Sequence, residues 1–365
     1  MKITSIDIAR LTIPMEPFVI ATETCYEAQN IYIKIHTDAG ISGVGECSAF
    51  PMLVGETQDT CFYVGKDLAK IIKGKNPLEI EKRLKEFDEY IAFNSTIKSA
   101  FDMALYDIAA KEKKLPLYKF LGGEKKTIYT DLTIGIDSPQ QMAEKAKRFI
   151  ADGVTIIKIK LGKNGEEDIE RVRRIREAVG SAIKLRVDAN QGWDYTTAIN
   201  TLQAIEKYDI GFCEQPMHHR LDELLPSLRK QVKIPIMADE SVFDHYDAER
   251  LIKSESCDFI NIKLAKSGGI TEAIKIANTA KQYNMPCMLG GMVESRLALT
   301  AKVHLAMAHD NIIFYDLDTC LLGHLEDPVI QGAKYNNYFL ELTDAPGIGA
   351  DISPDFLQRM ESITI

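Results

Sequence analysis

The feature that most constrains this chain begins near residue 127. From there, short apolar, β-branched runs alternate with amphipathic helical stretches. The runs are TIYTDLTIGI, TIIKIK, KLRVDAN, GFCEQP, IPIMADES, FINIK, CMLGGM and IIFYDLD. Helical patterns such as EEDIERVRRIREAVG and TEAIKIANTAKQYN separate them. Strands joined by helices at this period run parallel. Eight of them match a (β/α)8-type barrel. A doubly wound open sheet is the weaker reading, because no GxGxxG follows the first run. No helix of ordinary length follows the eighth run, so the expected architecture is a modified TIM barrel, (β/α)7β.

The barrel needs only part of the 365 residues. Residues 1–125 read as an α+β cap. MKITSIDIARLTIP and NIYIKIHTDAGISGVGE are strand-like, the second with a turn at Asp38-Ala39-Gly40. Three helical patterns follow. In the third, Ile97, Ala100, Phe101, Ala104, Leu105 and Ile108 recur at helical spacing, and Asn94 or Ser95 can cap it. The expected division is 1–125 cap, 126–320 barrel and 321–365 a tail that returns to the cap.

Composition removes several function classes. Lys plus Arg number 44 and Asp plus Glu 53, a net charge of −9, which disfavours general binding to nucleic-acid backbones. No run approaches a membrane span, and the N-terminus lacks a signal-peptide core. Seven widely spaced cysteines with no CxxC fit reduced thiols in a cytoplasmic protein.

In a barrel of this kind chemistry sits where strands end. TIIKIK ends in Lys160, KLRVDAN carries Asp188, GFCEQP carries Glu214, IPIMADES carries Asp239 and FINIK ends in Lys263. Asp188, Glu214 and Asp239 stand 26 and 25 residues apart, and Lys263 lies 24 further on, about one βα unit per step. Three carboxylates on consecutive strand ends repel one another unless a cation sits between them. An all-oxygen set favours magnesium over zinc or iron. A lysine on either side can serve as a base once a nearby cation lowers its pKa. The chemistry that suits these parts removes a proton α to a carbonyl, stabilises the enolate with the metal, and returns a proton on the far face. Phosphoryl transfer lacks its cradle, since no GxxxxGK[ST] occurs. His218-His219 have no metal-ligand partner at suitable spacing and read as loop residues. Gly290-Gly291 leaves two readings, amides offered to an anion or glycines that permit close packing.

These residues resemble the enolase superfamily, and within it the muconate lactonizing enzyme subgroup, over essentially the whole chain. AFDMALYDIAAKEKKLPLYKFLGG is similar to that subgroup's cap helix and its LLGG segment. Lys158-Ile159-Lys160 resembles its KxK motif. Asp188-Ala189-Asn190, Glu214-Gln215-Pro216 and Ala238-Asp239-Glu240-Ser241 resemble its metal-ligand motifs. Asn261-Ile262-Lys263 with Ser267-Gly268-Gly269 resembles its second-base motif. The resemblance implies Mg2+ held by Asp188, Glu214 and Asp239. It implies Lys160 and Lys263 as opposed acid/base catalysts, with Lys158 tuning Lys160 and counted among the substrate-binding residues. Symmetric oligomers are common in such proteins, so a homo-oligomer is an expectation.

Asp316-Leu317-Asp318 resembles the DxD of dipeptide epimerases, which implies that Asp316 and Asp318 hold a substrate ammonium and that Thr133 contacts the substrate. The small-molecule substrate implied is a dipeptide of Ala-Xaa type, inverted at its C-terminal α-carbon. Ala-Glu epimerases carry a basic residue in the loop that here reads PFVIATETC, where Glu23 and Val19 stand instead. That departure favours a neutral, small or hydrophobic Xaa. The alternative within the subgroup is an o-succinylbenzoate synthase or muconate-type cycloisomerase. It would use the same lysines and metal but has no evident need for Asp316 and Asp318. A catalytically silent barrel would be expected to have lost one of these residues.

Overall fold

A computed structural model describes all of residues 1–365. The alternation in the N-terminal segment becomes an antiparallel meander of three strands, β1 (Ile3–Val19), β2 (Thr24–Thr37) and β3 (Ser42–Ser48). Ile6, Ile8, Ile31, Ile33 and Ile35 are buried beneath the Ser95–Glu112 helix, whose Ile97, Ala100, Phe101, Ala104, Leu105 and Ile108 are all buried in return. This helix lies on bare backbone. A Cβ at Gly43 or Gly45 would meet the Ala104 or Ala100 carbonyl oxygen at 2.1 or 2.0 Å, so only glycine permits the approach.

The expected cap of that helix is corrected. Asn94 occupies the N-cap position, but it has φ 55° and its side-chain amide donates to Ala92 O. The Glu56 carboxylate accepts from Thr96 N at 2.8 Å instead. A carboxylate from another segment satisfies the helix's free amides and favours its positive end, leaving no work for Asn94 or Ser95.

The eight apolar runs form one parallel sheet in chain order. Its strands are β4 (Leu132–Ile134), β5 (Ile156–Lys160), β6 (Lys184–Asp188), β7 (Ile210–Glu214), β8 (Ile236–Ala238), β9 (Phe259–Ile262), β10 (Cys287–Gly290) and β11 (Ile312–Asp316). A helix follows each of the first seven, and only a short 3-10 turn, Thr319–Leu321, follows β11. The barrel closes without a regular ladder between β11 and β4. Asp131 N donates to Tyr315 O at 3.3 Å, and Leu317 N to Thr130 Oγ1 at 2.9 Å. In the tail, Ser362–Thr364 pairs with the free edge of β1. No helix is long and apolar enough to cross a membrane.

Residues alternate between the outer helices and the bore, as the strand period demands. At the foot of the bore Phe212, Met237 and Met288 form a small apolar cluster with Phe259 and Phe314 packed against it. Further along the same strands the bore turns to carboxylates and lysines.

Candidate active site

Strand register sets the site. Lys160 is the direct neighbour of Asp188 across β5 and β6, and Asp188 that of Glu214 across β6 and β7. Asp239 follows the last residue of β8, and Lys263 follows β9. Lys160 and Lys263 therefore project from strands four places apart in a ring of eight, which puts them across the bore from each other. Asp188, Glu214 and Asp239 are completely buried, and Lys160 and Lys263 are 7% and 5% exposed.

Each buried lysine of the site is paired with carboxylates. Lys160 Nζ lies 2.6 Å from Asp188 Oδ2 and donates to Asn190 Oδ1 at 3.0 Å. Lys263 Nζ lies 2.7 Å from Asp239 Oδ2. Lys158 Nζ sits among three carboxylates, 2.7 Å from Glu214, 2.7 Å from Asp316 and 3.1 Å from Asp188. Lys158, 1% exposed, has its ammonium enclosed by these three carboxylates. Removing one member of such a set would strand a buried charge, which is why charges this deep come in groups.

Titration follows the same accounting. Burial alone would lower Lys158, but Asp316, Glu214 and Asp188 more than offset it and hold it well above its ordinary value. Lys263 is likewise pulled down by burial but raised on balance by Asp239 and Glu214. Burial works to raise Asp239, yet Lys263 and Lys266 hold it below the usual carboxylate range. Burial and then Asp188 push Glu214 up to about 7. Glu240, pushed up by burial and then Asp239 to about 8, lines the same pocket.

Three of these oxygens, Glu214 Oε2, Asp239 Oδ2 and Glu240 Oε2, are buried yet accept no hydrogen bond. For Glu214 and Asp239 the lysine ammonium is at ion-pair distance but off the hydrogen-bonding direction. Unsatisfied carboxylate oxygens in an all-oxygen set fit a hard divalent cation. Asp188, Glu214 and Asp239 thus fit Mg2+ on the chemistry of their donors.

The tightest carboxylate group lies elsewhere in the bore. One oxygen each of Asp131, Asp316 and Asp318 falls within 4.8 Å of the others. Arg186 pairs with Asp131 at 2.6 Å and Lys158 with Asp316. Asp318 has no ion-pair partner; its Oδ2 accepts from Thr133 N at 2.7 Å. Burial, then Asp316 and Asp131, push the Asp318 carboxyl well above its ordinary range. Three carboxylates here thus face two cationic side chains, Arg186 and Lys158.

Sequence reasoning missed several partners. Lys266 is wholly buried and donates to Asp239 Oδ1 at 2.7 Å. Asn261 donates to Glu214 Oε1 at 2.8 Å, and Asn190 to Glu240 Oε1 at 3.2 Å. Asn190, Glu240 and Asn261 fall inside the strand-end motifs, which was the available signal. Lys266 follows Lys263 by one helical turn. Gln215, at φ 34°, turns the chain after Glu214 and accepts from Asp239 N at 2.9 Å. A side chain with that backbone conformation is uncommon and is held here by its neighbours. His218 accepts from Arg220 N and opens a short turn. Gly290 serves packing, because a Cβ there would meet Asn261 Oδ1 at 2.4 Å.

Beside the lysines the pocket is apolar. Phe18 and Ile20 from the β1–β2 hairpin, Phe50 and Leu53, and Met292 and Val293 wall it. Thr22 is the polar residue that this hairpin contributes; Glu23 is not part of the lining, and Val19 faces a neighbouring cleft. Burial raises the Glu23 carboxyl.

Residues 3–122 match the mandelate racemase/muconate lactonizing enzyme N-terminal domain, and residues 141–356 match the enolase C-terminal domain-like family. The chain belongs to this enolase-like family. Among its members, the D-Ala-D/L-Ala epimerase of Cytophaga hutchinsonii is 45% identical, with both chains covered in full. The crystal structure of a dipeptide epimerase from that organism, complexed with Mg and D-Ala-L-Val, superposes with a TM-score of 0.98 at 45% identity over 100% of both chains. The hydrophobic dipeptide epimerase of Enterococcus faecalis is 41% identical over 96% of this chain and 99% of its own.

Proposed function

We propose that this protein is a Mg2+-dependent dipeptide epimerase. It inverts the α-carbon of the C-terminal residue of Ala-Xaa-type dipeptides, with Xaa neutral, small or hydrophobic. The observation that carries this reading is the pair Lys160 and Lys263, set on opposite sides of the bore over three buried carboxylates.

Asp188, Glu214 and Asp239 would hold the ion, which when bound supplies positive charge to the substrate carboxylate as negative charge develops there. The rest falls to the chain. For one enantiomer Lys160 Nζ takes the α-proton and the Lys263 ammonium delivers one to the opposite face. For the other enantiomer the roles exchange. Lys158 acts through Asp188, Glu214 and Asp316, holding them in place and balancing their charge. Asp316 and Asp318 take the dipeptide's ammonium, the cation that Asp318 lacks. Thr133, buried beside Asp318, would contact the dipeptide. The apolar wall of Phe18, Ile20, Leu53 and Val293 suits an uncharged Xaa. A cycloisomerase acting on a dicarboxylate would bring no ammonium for Asp316 and Asp318 to take.

The test is a dipeptide library incubated in D2O with Mg2+ and read by mass spectrometry. One deuterium should appear at the C-terminal α-carbon and vanish on chelation. No label in any dipeptide would overturn the reading. Within it, Ile20→Arg places a cation in the apolar wall and should shift the kcat/KM ratio of Ala-Glu to Ala-Leu upward by about tenfold.

A further inference from the structure

The wall formed by Met292 and Val293 is held by side chains outside the pocket. Both residues lie in the loop between β10 and the Arg296–Ala308 helix. Glu46, on β3, is 1% exposed and reaches the end of that loop. Its Oε1 accepts from Ser295 N at 2.7 Å, and its Oε2 accepts from Ser295 Oγ at 2.6 Å and Ala298 N at 3.0 Å. Asn30, on β2, donates to Glu46 Oε1 at 2.8 Å and to Val293 O at 3.3 Å. The loop's far side is tied as well: Glu294 accepts from Met292 N and pairs with the buried Lys302.

Two walls of the pocket are thereby joined. The hairpin that carries Phe18 and Ile20 is built from the same β1–β2–β3 sheet that carries Asn30 and Glu46. A carboxylate that takes up the first amides of a helix also gains from the helix dipole. Its position is therefore strongly determined, although neither Glu46 nor Asn30 lines the pocket.

We infer that Glu46, with Asn30, is a positioning residue for specificity: it sets the distance between the hairpin and the Met292–Val293 wall, and so the fit of the Xaa side chain. This rests on the dipeptide reading above. The proton transfers at Lys160 and Lys263 do not involve it.

Glu46→Gln tests the inference. The amide nitrogen of glutamine would face a backbone N–H or the Asn30 amide, so at least one tie is lost. KM for Ala-Leu and Ala-Val should rise on the order of tenfold, since small misplacements of a binding wall cost that much or more. The kcat for the same dipeptides should stay within about threefold. Amide hydrogen exchange across 291–298 should speed up, and Glu46→Asp should restore both readouts in part. A fall in kcat with KM unchanged, or unchanged exchange across 291–298, would overturn the inference. Should Glu46→Gln fail to fold, Asn30→Ala removes the tie to Val293 and should move KM and exchange in the same direction by less. No change in either would overturn it too. If the wild-type protein labels no dipeptide, the dipeptide reading falls, and hydrogen exchange in the two variants still decides whether Glu46 grips the loop.

Discussion

The two ends of the barrel's bore are built from the same strands by opposite means. At the foot, Phe212, Met237 and Met288 exclude water, and the Arg186 guanidinium lies 5.2 and 5.1 Å from the Phe212 and Phe314 ring centroids. At the mouth, two residues further along, Glu214 and Asp239 replace Phe212 and Met237, and stability there depends on matched charge. Phe212 and Glu214 are both essentially fully buried, so burial does not distinguish the ends. The apolar foot contributes free energy of folding, whereas a buried ionic cluster often contributes little, and apolar residues in its place are often no worse. The mouth is an arrangement a fold tolerates for chemistry, and the foot is what lets it do so.

The largest effect expected from breaking this contrast is at the mouth. Lys160→Ala and Lys263→Ala should each lower epimerisation by about 10²–10⁴-fold. Each should keep solvent exchange of the α-proton for one enantiomer, which NMR in D2O detects. Full activity in both variants would remove the two-base mechanism.

At the foot the effect should be on folding alone. Phe212→Ala should cost about 3–5 kcal/mol in denaturant unfolding, since it empties the centre of a packed cluster. The kcat/KM of the variant that still folds should change little. A large loss of activity without loss of stability would show that the two ends are coupled.

A smaller effect sharpens the rule that buried charge needs a partner. His304, outside the bore, is 1% exposed. Its Nδ1 accepts from Tyr118 N and its Nε2 faces Ile348 O, each at 3.0 Å, and no carboxylate pairs with it. Burial pushes it down to about 4, so it stays neutral. The unfolded chain binds a proton near the ordinary histidine value of 6.5, and the folded protein does so only near 4. Stability is therefore fully present above about 6.5 and is lost as pH falls towards about 4, by roughly 3 kcal/mol in all. Unfolding measured against pH should show a shallower acid slope in His304→Gln than in wild type. Equal slopes would mean that His304 carries its proton in the folded state.

The rim residues were legible because the βα period is regular. One strand end arrives about every 25 residues, so Lys160, Asp188, Glu214, Asp239 and Lys263 announced themselves by spacing and by the apolar runs before them. Seven of the eight strands fall within their runs for the same reason, and β7 begins one residue before its run, at Ile210. The cap of the Ser95–Glu112 helix was misread because local sequence offered Asn94 while the fold supplied Glu56, 40 residues away from the amide it accepts.

Periodicity and residue type, then, determined the barrel, its missing eighth helix and the ring of charged strand ends, because these depend on which way successive side chains point. Tertiary structure alone decided which lysine faces which carboxylate, that Lys158 is enclosed by three of them, and that Asp131 joins Asp316 and Asp318. It alone brought Glu46 to Ser295 across 249 residues of chain. Contacts of that range are set by how layers pack, and a carboxylate reads the same in sequence whether it faces water, a lysine or the first turn of a distant helix.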